Sequence, residues 1–190
     1  MIPLLATPRL TLRAWREADL APLAALHADP EVMQYLGAPM TRMASDVLVG
    51  RFLQKWEEEP RFGWWALEES RTHTLIGFAG LARPDFTTPP APCVEIGWRL
   101  ARTAWGRGYA SEAARACLEH GFRTVGLDEI LSFTVPGNTR SRAVMARIGM
   151  THDPQGDFEH PLLPEGSPLR RHVLYRLSRD AWAGAPSIPA

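Results

Sequence analysis

The sequence carries no excess of either charge. Lysine plus arginine number 21 and aspartate plus glutamate number 21, so no global field draws the chain to nucleic acid or to an anionic membrane surface. Phosphate binding, where it occurs, has to be local. Lysine itself is nearly absent, Lys55 standing alone among arginines, which is read as composition bias and not as function. Long apolar runs are missing as well. Met1-Ile2-Pro3-Leu4-Leu5 has no basic segment before it and no hydrophobic stretch after it, so neither a signal peptide nor a membrane span is expected, and the expected location is cytoplasmic. Cysteine is scarce. Cys93 and Cys117 fall in apolar-patterned segments without the spaced Cys/His partners of a zinc site, and both are expected to be buried thiols. His27, His73, His120, His152 and His172 show no ligand spacing either, so no metal site is expected.

What is present is a chain of 190 residues, 45% hydrophobic, enough for one buried core. A single domain over 1–183 is expected, with 184–190 as a disordered tail. Leu10, Leu12 and Ala14 alternate with polar residues as in a half-buried strand. A helical pattern then runs from about Asp19 to Asp29-Pro30, and a second from Thr41 to about Glu58, with Met43, Val47, Leu48, Phe52 and Trp56 as its apolar stripe. Strands over Trp64 to Glu68 and Leu75 to Leu81 form a hairpin, and Pro84 to Pro92 is a loop because proline cannot donate to a ladder. Trp64, Trp65 and Trp98 sit on expected core strands, where tryptophan mostly packs and sometimes lines a cleft.

A strand over Cys93 to Leu100 leads into Trp105-Gly106-Arg107-Gly108-Tyr109-Ala110-Ser111, followed by a helix whose stripe is Ala114, Cys117, Leu118, Gly121, Phe122 and Val125, stopped by Gly126. Ile130 to Val135 is the next strand, Thr139 to Ile148 a short helix, and His172 to Leu177 the last strand. No internal repeat is found. Strands interleaved with helices in this order predict a mixed α/β sheet covered by helices.

The glycine turn is the strongest local feature. Glycine permits positive φ and close approach to a ligand, while a helix start offers unpaired N–H groups and a partial positive charge, a combination suited to pyrophosphate. A tight loop that needs glycine only for its shape is the plainer alternative, and pattern alone leaves both open. A Walker loop is excluded because Gly108 is followed by Tyr109 and not by Lys-Ser/Thr. A dinucleotide fingerprint fits poorly, since Ser111 stands where a third glycine or alanine belongs and Asp128 precedes its strand instead of ending it.

Taken with Thr7-Pro8-Arg9-Leu10-Thr11-Leu12-Arg13, Glu95-Ile96-Gly97-Trp98, Asn138-Thr139-Arg140-Ser141 and Arg147-Ile148-Gly149-Met150, this turn resembles the GNAT superfamily of N-acetyltransferases, and within it the RimJ/RimL-like branch that acetylates ribosomal proteins. The resemblance implies a mixed, mostly antiparallel sheet with two splayed central strands, flanked by helices, and acetyl-CoA entering the split between them. It implies transfer of an acetyl group directly to a primary amine, either a protein N-terminus or a small amine. No nucleic acid or membrane partner is expected, and the oligomeric state stays open, a homodimer included. The superfamily's turn, Gln/Arg-x-x-Gly-x-Gly/Ala, falls on Trp105, Gly108 and Ala110, with Trp105 departing from its first position.

Further site residues follow from the resemblance. Trp98 and Leu100 would present backbone N–H groups to the thioester carbonyl, Trp105, Gly106, Arg107, Gly108, Tyr109, Ala110 and Ser111 would hold the pyrophosphate, and Asn138 the pantetheine arm. Many relatives carry a tyrosine that protonates the departing thiolate, and the matching residue here is Met145. Ser141, one turn earlier, is the candidate acid, with local capping as its alternative role. Glu95 is the candidate base, with a merely solvated or ion-paired role as the alternative, and Asp157, Glu159 and His160 are further candidates. A silent acyl-CoA-binding or sensing domain, kept alive by Met145, and a nucleotide-binding module are the rival readings.

Overall fold

The computed structural model describes residues 2–86 and 92–183. The expected disordered tail and most of the expected proline-rich loop lie outside the described residues. Leu10 and Leu12 are fully buried in β2 (Leu10–Arg13), which pairs with a short β1 (Leu5–Ala6) that periodicity over two residues could not reveal. Then come α1 (Leu20–Ala28), α2 (Pro30–Met33) and α3 (Arg42–Glu58). Asp29 caps α2 by accepting from Glu31 N–H at 2.9 Å, and Thr41 caps α3 by accepting from Ala44 N–H at 3.2 Å.

The inward face of α3 differs from expectation. Met43 is 76% and Val47 52% exposed, while Ser45, Val49, Phe52 and Trp56 are buried. Both stripes have helical spacing. The neighbouring helix selects between them, with Nδ1 of the buried His27 on α1 lying 2.9 Å from Ser45 Oγ.

The hairpin of β3 (Trp64–Glu69) and β4 (Thr74–Ala82) forms as expected, and β4 pairs antiparallel with β5 (Glu95–Leu100). After the glycine turn, α4 (Tyr109–Glu119) buries Ala113, Ala114, Cys117 and Leu118, continues through a wider turn over His120–Val125, and stops at Gly126. β6 (Glu129–Thr134), α5 (Thr139–Arg147), β7 (Thr151–His152), β8 (Phe158–Glu159), β9 (Arg171–Ser178) and α6 (Arg179–Ala183) complete the chain. The two-residue strands β7 and β8 lie in what the sequence presents as loop.

The sheet order is β1-β2-β3-β4-β5-β6-β9-β7, with β8 on β9. Every pairing among the described residues is antiparallel except β5 with β6. One face packs against α4 and α5 through Trp65, Ile96, Cys117, Leu118 and Met145. The opposite face packs against α1 and α3 through Phe52, Ala66, Phe78, Leu23 and Leu26. This is the mixed, mostly antiparallel sheet flanked by helices that the sequence predicts.

Candidate active site

β5 and β6 meet at one register position, Glu95 opposite Leu131. Leu131 N–H donates to the Val94 carbonyl at 2.9 Å, and Ser132 Oγ donates to the Ile96 carbonyl at 2.9 Å. Beyond that point the strands splay. Backbone groups alternate sides along a strand. Since those of Val94 and Ile96 face β6, those of Trp98 and Leu100 face the split, whereas Arg99 turns its own toward β4. Trp98 and Leu100 are the two expected backbone donors. Trp105 Nε1 donates to the Leu100 carbonyl at 2.9 Å and ties the turn to the end of β5.

The turn opens at the same end of the split. Gly106 and Gly108 have φ of +73° and +81°, conformations that penalise any side chain. A Cβ on Gly106 would meet nothing within 4 Å, so the backbone there stands in open space. The first helical bond of α4 runs from Glu112 N–H to the Gly108 carbonyl, which leaves the amides of Tyr109, Ala110 and Ser111 ahead of the ladder. Tyr109 and Ser111 are buried, and the Tyr109 hydroxyl donates to Glu69 at 2.6 Å, so what these two can offer a ligand is backbone N–H. Arg107 is exposed, and the Arg140 guanidinium lies 4.2 Å above the Trp105 ring.

Arg9 was not singled out from the sequence, yet it braces this turn. Its Nη1 donates to the Arg107 carbonyl at 2.9 Å, its guanidinium covers the Tyr109 ring at 4.8 Å, and Glu112 receives both Arg9 and the Thr7 hydroxyl. No local pattern links residues so far apart in the chain.

On the other side of the split, Asn138 caps α5 by accepting from Ser141 N–H at 3.2 Å, and its amide donates to Thr134 at 3.0 Å. Ser141 is half-buried. Met145 is 1% exposed and packed in the core, so its position neither carries a proton nor reaches the cleft.

Glu95 shares a face of β5 with Gly97 and Arg99, opposite to Ile96 and Trp98. It is half-buried, and burial, helped by the negative charge of Asp85, pushes its carboxyl up to about 8. Asp85 is itself paired with Lys55 at 2.7 Å. A Cβ on Gly97 would lie 2.9 Å from the Trp64 indole, so the missing side chain makes room for that ring as a floor beside Glu95. The other carboxylates are committed elsewhere. Asp157 accepts from Leu174 N–H at 3.0 Å and lies 2.9 Å from His152 Nε2, while Glu159 lies 3.4 Å from Arg170. Burial lowers His160, whose ring packs 4.4 Å from Phe86 and 5.0 Å from His172.

Cys117 is buried and its thiol pushed up by burial, but Cys93 is only half-buried, contrary to expectation, because β5 starts at Glu95 and leaves Cys93 in the segment ahead of it. No cluster of metal-ligating groups occurs among the described residues.

Comparison with known proteins agrees with this geometry. The profile of the acetyltransferase (GNAT) domain matches residues 9–151. A Bacillus subtilis (strain 168) protein, YkkB, is 34% identical over 151 residues, 77% of this chain and 84% of its own. The FsC-acetyl coenzyme A-N(2)-transacetylase of Aspergillus fumigatus is 31% identical over 191 residues, 95% of this chain and 78% of its own. The crystal structure of an acetyltransferase from Agrobacterium tumefaciens superposes with a TM-score of 0.74 at 32% identity, covering 93% of this chain and 95% of that one. With this domain matched over residues 9–151 and relatives above 30% identical over most of its length, the chain belongs to the GNAT family and is an N-acetyltransferase.

Proposed function

We propose that the chain is an acetyl-CoA-dependent N-acetyltransferase of the RimJ/RimL-like branch. It works as one domain over 1–183 in the cytoplasm and transfers an acetyl group directly to the primary amine of a protein N-terminus or a small molecule. The observation that carries the reading is the split itself, with the backbone of Trp98 and Leu100 turned into it. It opens onto a helix start whose amides precede the ladder. The Aspergillus relative, named for acetyl coenzyme A, supports the same cofactor. The residues present fit it, since open space beyond Gly106 leaves the turn accessible to a pyrophosphate.

Bound acetyl-CoA supplies an activated acetyl thioester. The chain's residues do the rest. The Trp98 and Leu100 amides, held on β5 and facing the split, would meet negative charge developing on a bound carbonyl oxygen without reorganising. Glu95 takes a proton from the acceptor ammonium, and a carboxyl held near 8 suits a base that works around neutral pH. Ser141 supplies a proton to the departing sulfur, directly or through water. Asn138, fixed by its cap on α5 and its bond to Thr134, would hold the pantetheine arm. Cys93 and Cys117 take no covalent part.

A silent acyl-CoA-binding domain is the second reading, favoured by the buried, proton-free Met145. An acceptor screen with acetyl-CoA, scored as free thiol, decides between them. Sustained thiol release with any amine supports the transferase, and tight cofactor binding with no release across protein N-terminal peptides and small amines refutes it.

A further inference from the structure

Two arginines sit in contrasting surroundings. Arg13, on β2, is 5% exposed and fully paired, its guanidinium meeting Asp19 at 2.7 Å and Glu68 at 2.6 Å. Arg99, on β5, has no such partner. Arg99 is half-buried, its Nη1 is enclosed without a hydrogen-bond partner among the described residues, and its guanidinium lies 5.2 Å over the Phe78 ring, which His27 meets edge-on at 6.1 Å. His27 adds no compensating charge. Burial, with the positive charge of Arg99, lowers it to about 4, so it is neutral at neutral pH, and its own Nε2 is also enclosed and unpaired among the described residues.

A guanidinium nitrogen withdrawn from water without an acceptor is costly. Cation–π contact with Phe78 offsets only part of that cost. The arrangement is complete when an anion arrives from outside the chain. Side-chain alternation puts Arg99 on the same face of β5 as Glu95, about 13 Å along the strand, with Gly97 between them and the Trp64 indole across the gap. Glu95 stands at one end of this face and the unpaired guanidinium nitrogen at the other.

We propose that Arg99 anchors a carboxylate of the acceptor, so that the acceptor is an amine that bears a carboxylate several bonds away, in the manner of an ω-amino acid or a short peptide. The two ends of the face orient it, with the ammonium toward Glu95 and the carboxylate on the Arg99 fork. The inference rests on the transferase reading, because it takes Glu95 as the group that meets the amine. Arg99 is then a specificity-determining residue and has no part in the acyl transfer itself.

The test uses the full chain with ω-amino acids and dipeptides, and their carboxamides, as matched probes. Turnover is read as thiol release from acetyl-CoA, and binding by calorimetry on the CoA-loaded protein. The expected result is a preference for the carboxylate of about tenfold or more in both readouts, since an ion-paired hydrogen bond is worth more than a neutral one. Arg99→Met should bring the ratio close to one while the urea midpoint stays level, because no ion pair within the described residues is lost. Arg99→Lys, which keeps the charge without the fork, should retain part of the preference and serves if Arg99→Met does not fold. Equal binding of carboxylates and carboxamides by the native protein overturns the proposal, as does a preference that survives Arg99→Met. Thiol release with carboxamides alone leaves the transferase standing and removes the carboxylate anchor. Absence of release with any amine, by contrast, counts against the transferase, and the calorimetric ratio still decides Arg99.

Discussion

Arg9 reaches Glu112 across 103 positions of the chain, its Nε donating to Oε2 at 2.6 Å while the Glu112 Oε1 accepts from the Arg9 amide at 2.9 Å. The first strand's approach thereby clamps the first turn of α4. The clamp also neutralises the carboxylate that would otherwise stand at the helix start and repel a phosphate. Glu112→Gln should preserve the shape and lose the charge pairing, and Arg9→Ala should release the turn. Because Arg9 is half exposed, global stability should fall by only about 0.5 to 1 kcal/mol. Acetyl-CoA affinity should fall several-fold more for Arg9→Ala than for Glu112→Gln. Urea titration beside calorimetry measures both, and equal affinities in the two variants would contradict the clamp.

Gly108 tests the turn. At φ of +81° a β-branched residue is strained, and its Cβ would come within 3.4 Å of Arg9 Nη2. Gly108→Val should cost about 1 to 3 kcal/mol of stability and weaken acetyl-CoA binding at least tenfold, as seen by circular dichroism and calorimetry. A folded variant with native affinity would remove the turn from the cofactor site.

Glu95 predicts a pH dependence. Its carboxyl is raised from 4.5 to about 8, and the base form is the ionised one, so kcat/KM should climb as pH rises through about 8. Glu95→Gln should abolish that limb and lower turnover by about 10² to 10⁴-fold. The stability sign is opposite. Between 4.5 and about 8 the folded chain holds a proton that the unfolded chain releases, so this group makes stability fall as pH rises through that window. Denaturation midpoints of native and Glu95→Gln protein across pH 4 to 9 should therefore diverge toward the alkaline end, and parallel curves would deny the shift.

Ser141→Ala should lower saturated turnover by about 10² to 10⁴-fold while weakening acetyl-CoA binding by only about 0.5 to 1.5 kcal/mol. Placing the superfamily's tyrosine at Met145 is not a clean rescue, because that side chain is 1% exposed and a larger ring would overpack the core by about 1 to 3 kcal/mol. Single-turnover kinetics with the alanine variant is the better measurement. A loss below about threefold would make Ser141 a residue of the cap alone.

Much of the molecule is written in local patterns. Leu10 and Leu12, the β3–β4 hairpin, and the Ala114, Cys117, Leu118 stripe declare strand or helix because backbone periodicity acts over a few residues. Gly106 and Gly108 before a helical stripe mark a turn at positive φ for the same reason. Asn138 is likewise legible as a cap. The sequence by itself therefore determined the order of elements, the place of the turn and the resemblance that names the family. Only the tertiary structure decided which of two helical stripes on α3 turns inward, since Ser45 is chosen by His27 on another helix. It alone joined Arg9 to Glu112, raised Glu95 through burial near Asp85, committed Asp157 to β9, and left Arg99 without the carboxylates that Arg13 receives. Each of these depends on what a distant segment brings opposite a side chain. Desolvation and ion pairing are properties of that encounter, not of the neighbouring residues in the chain.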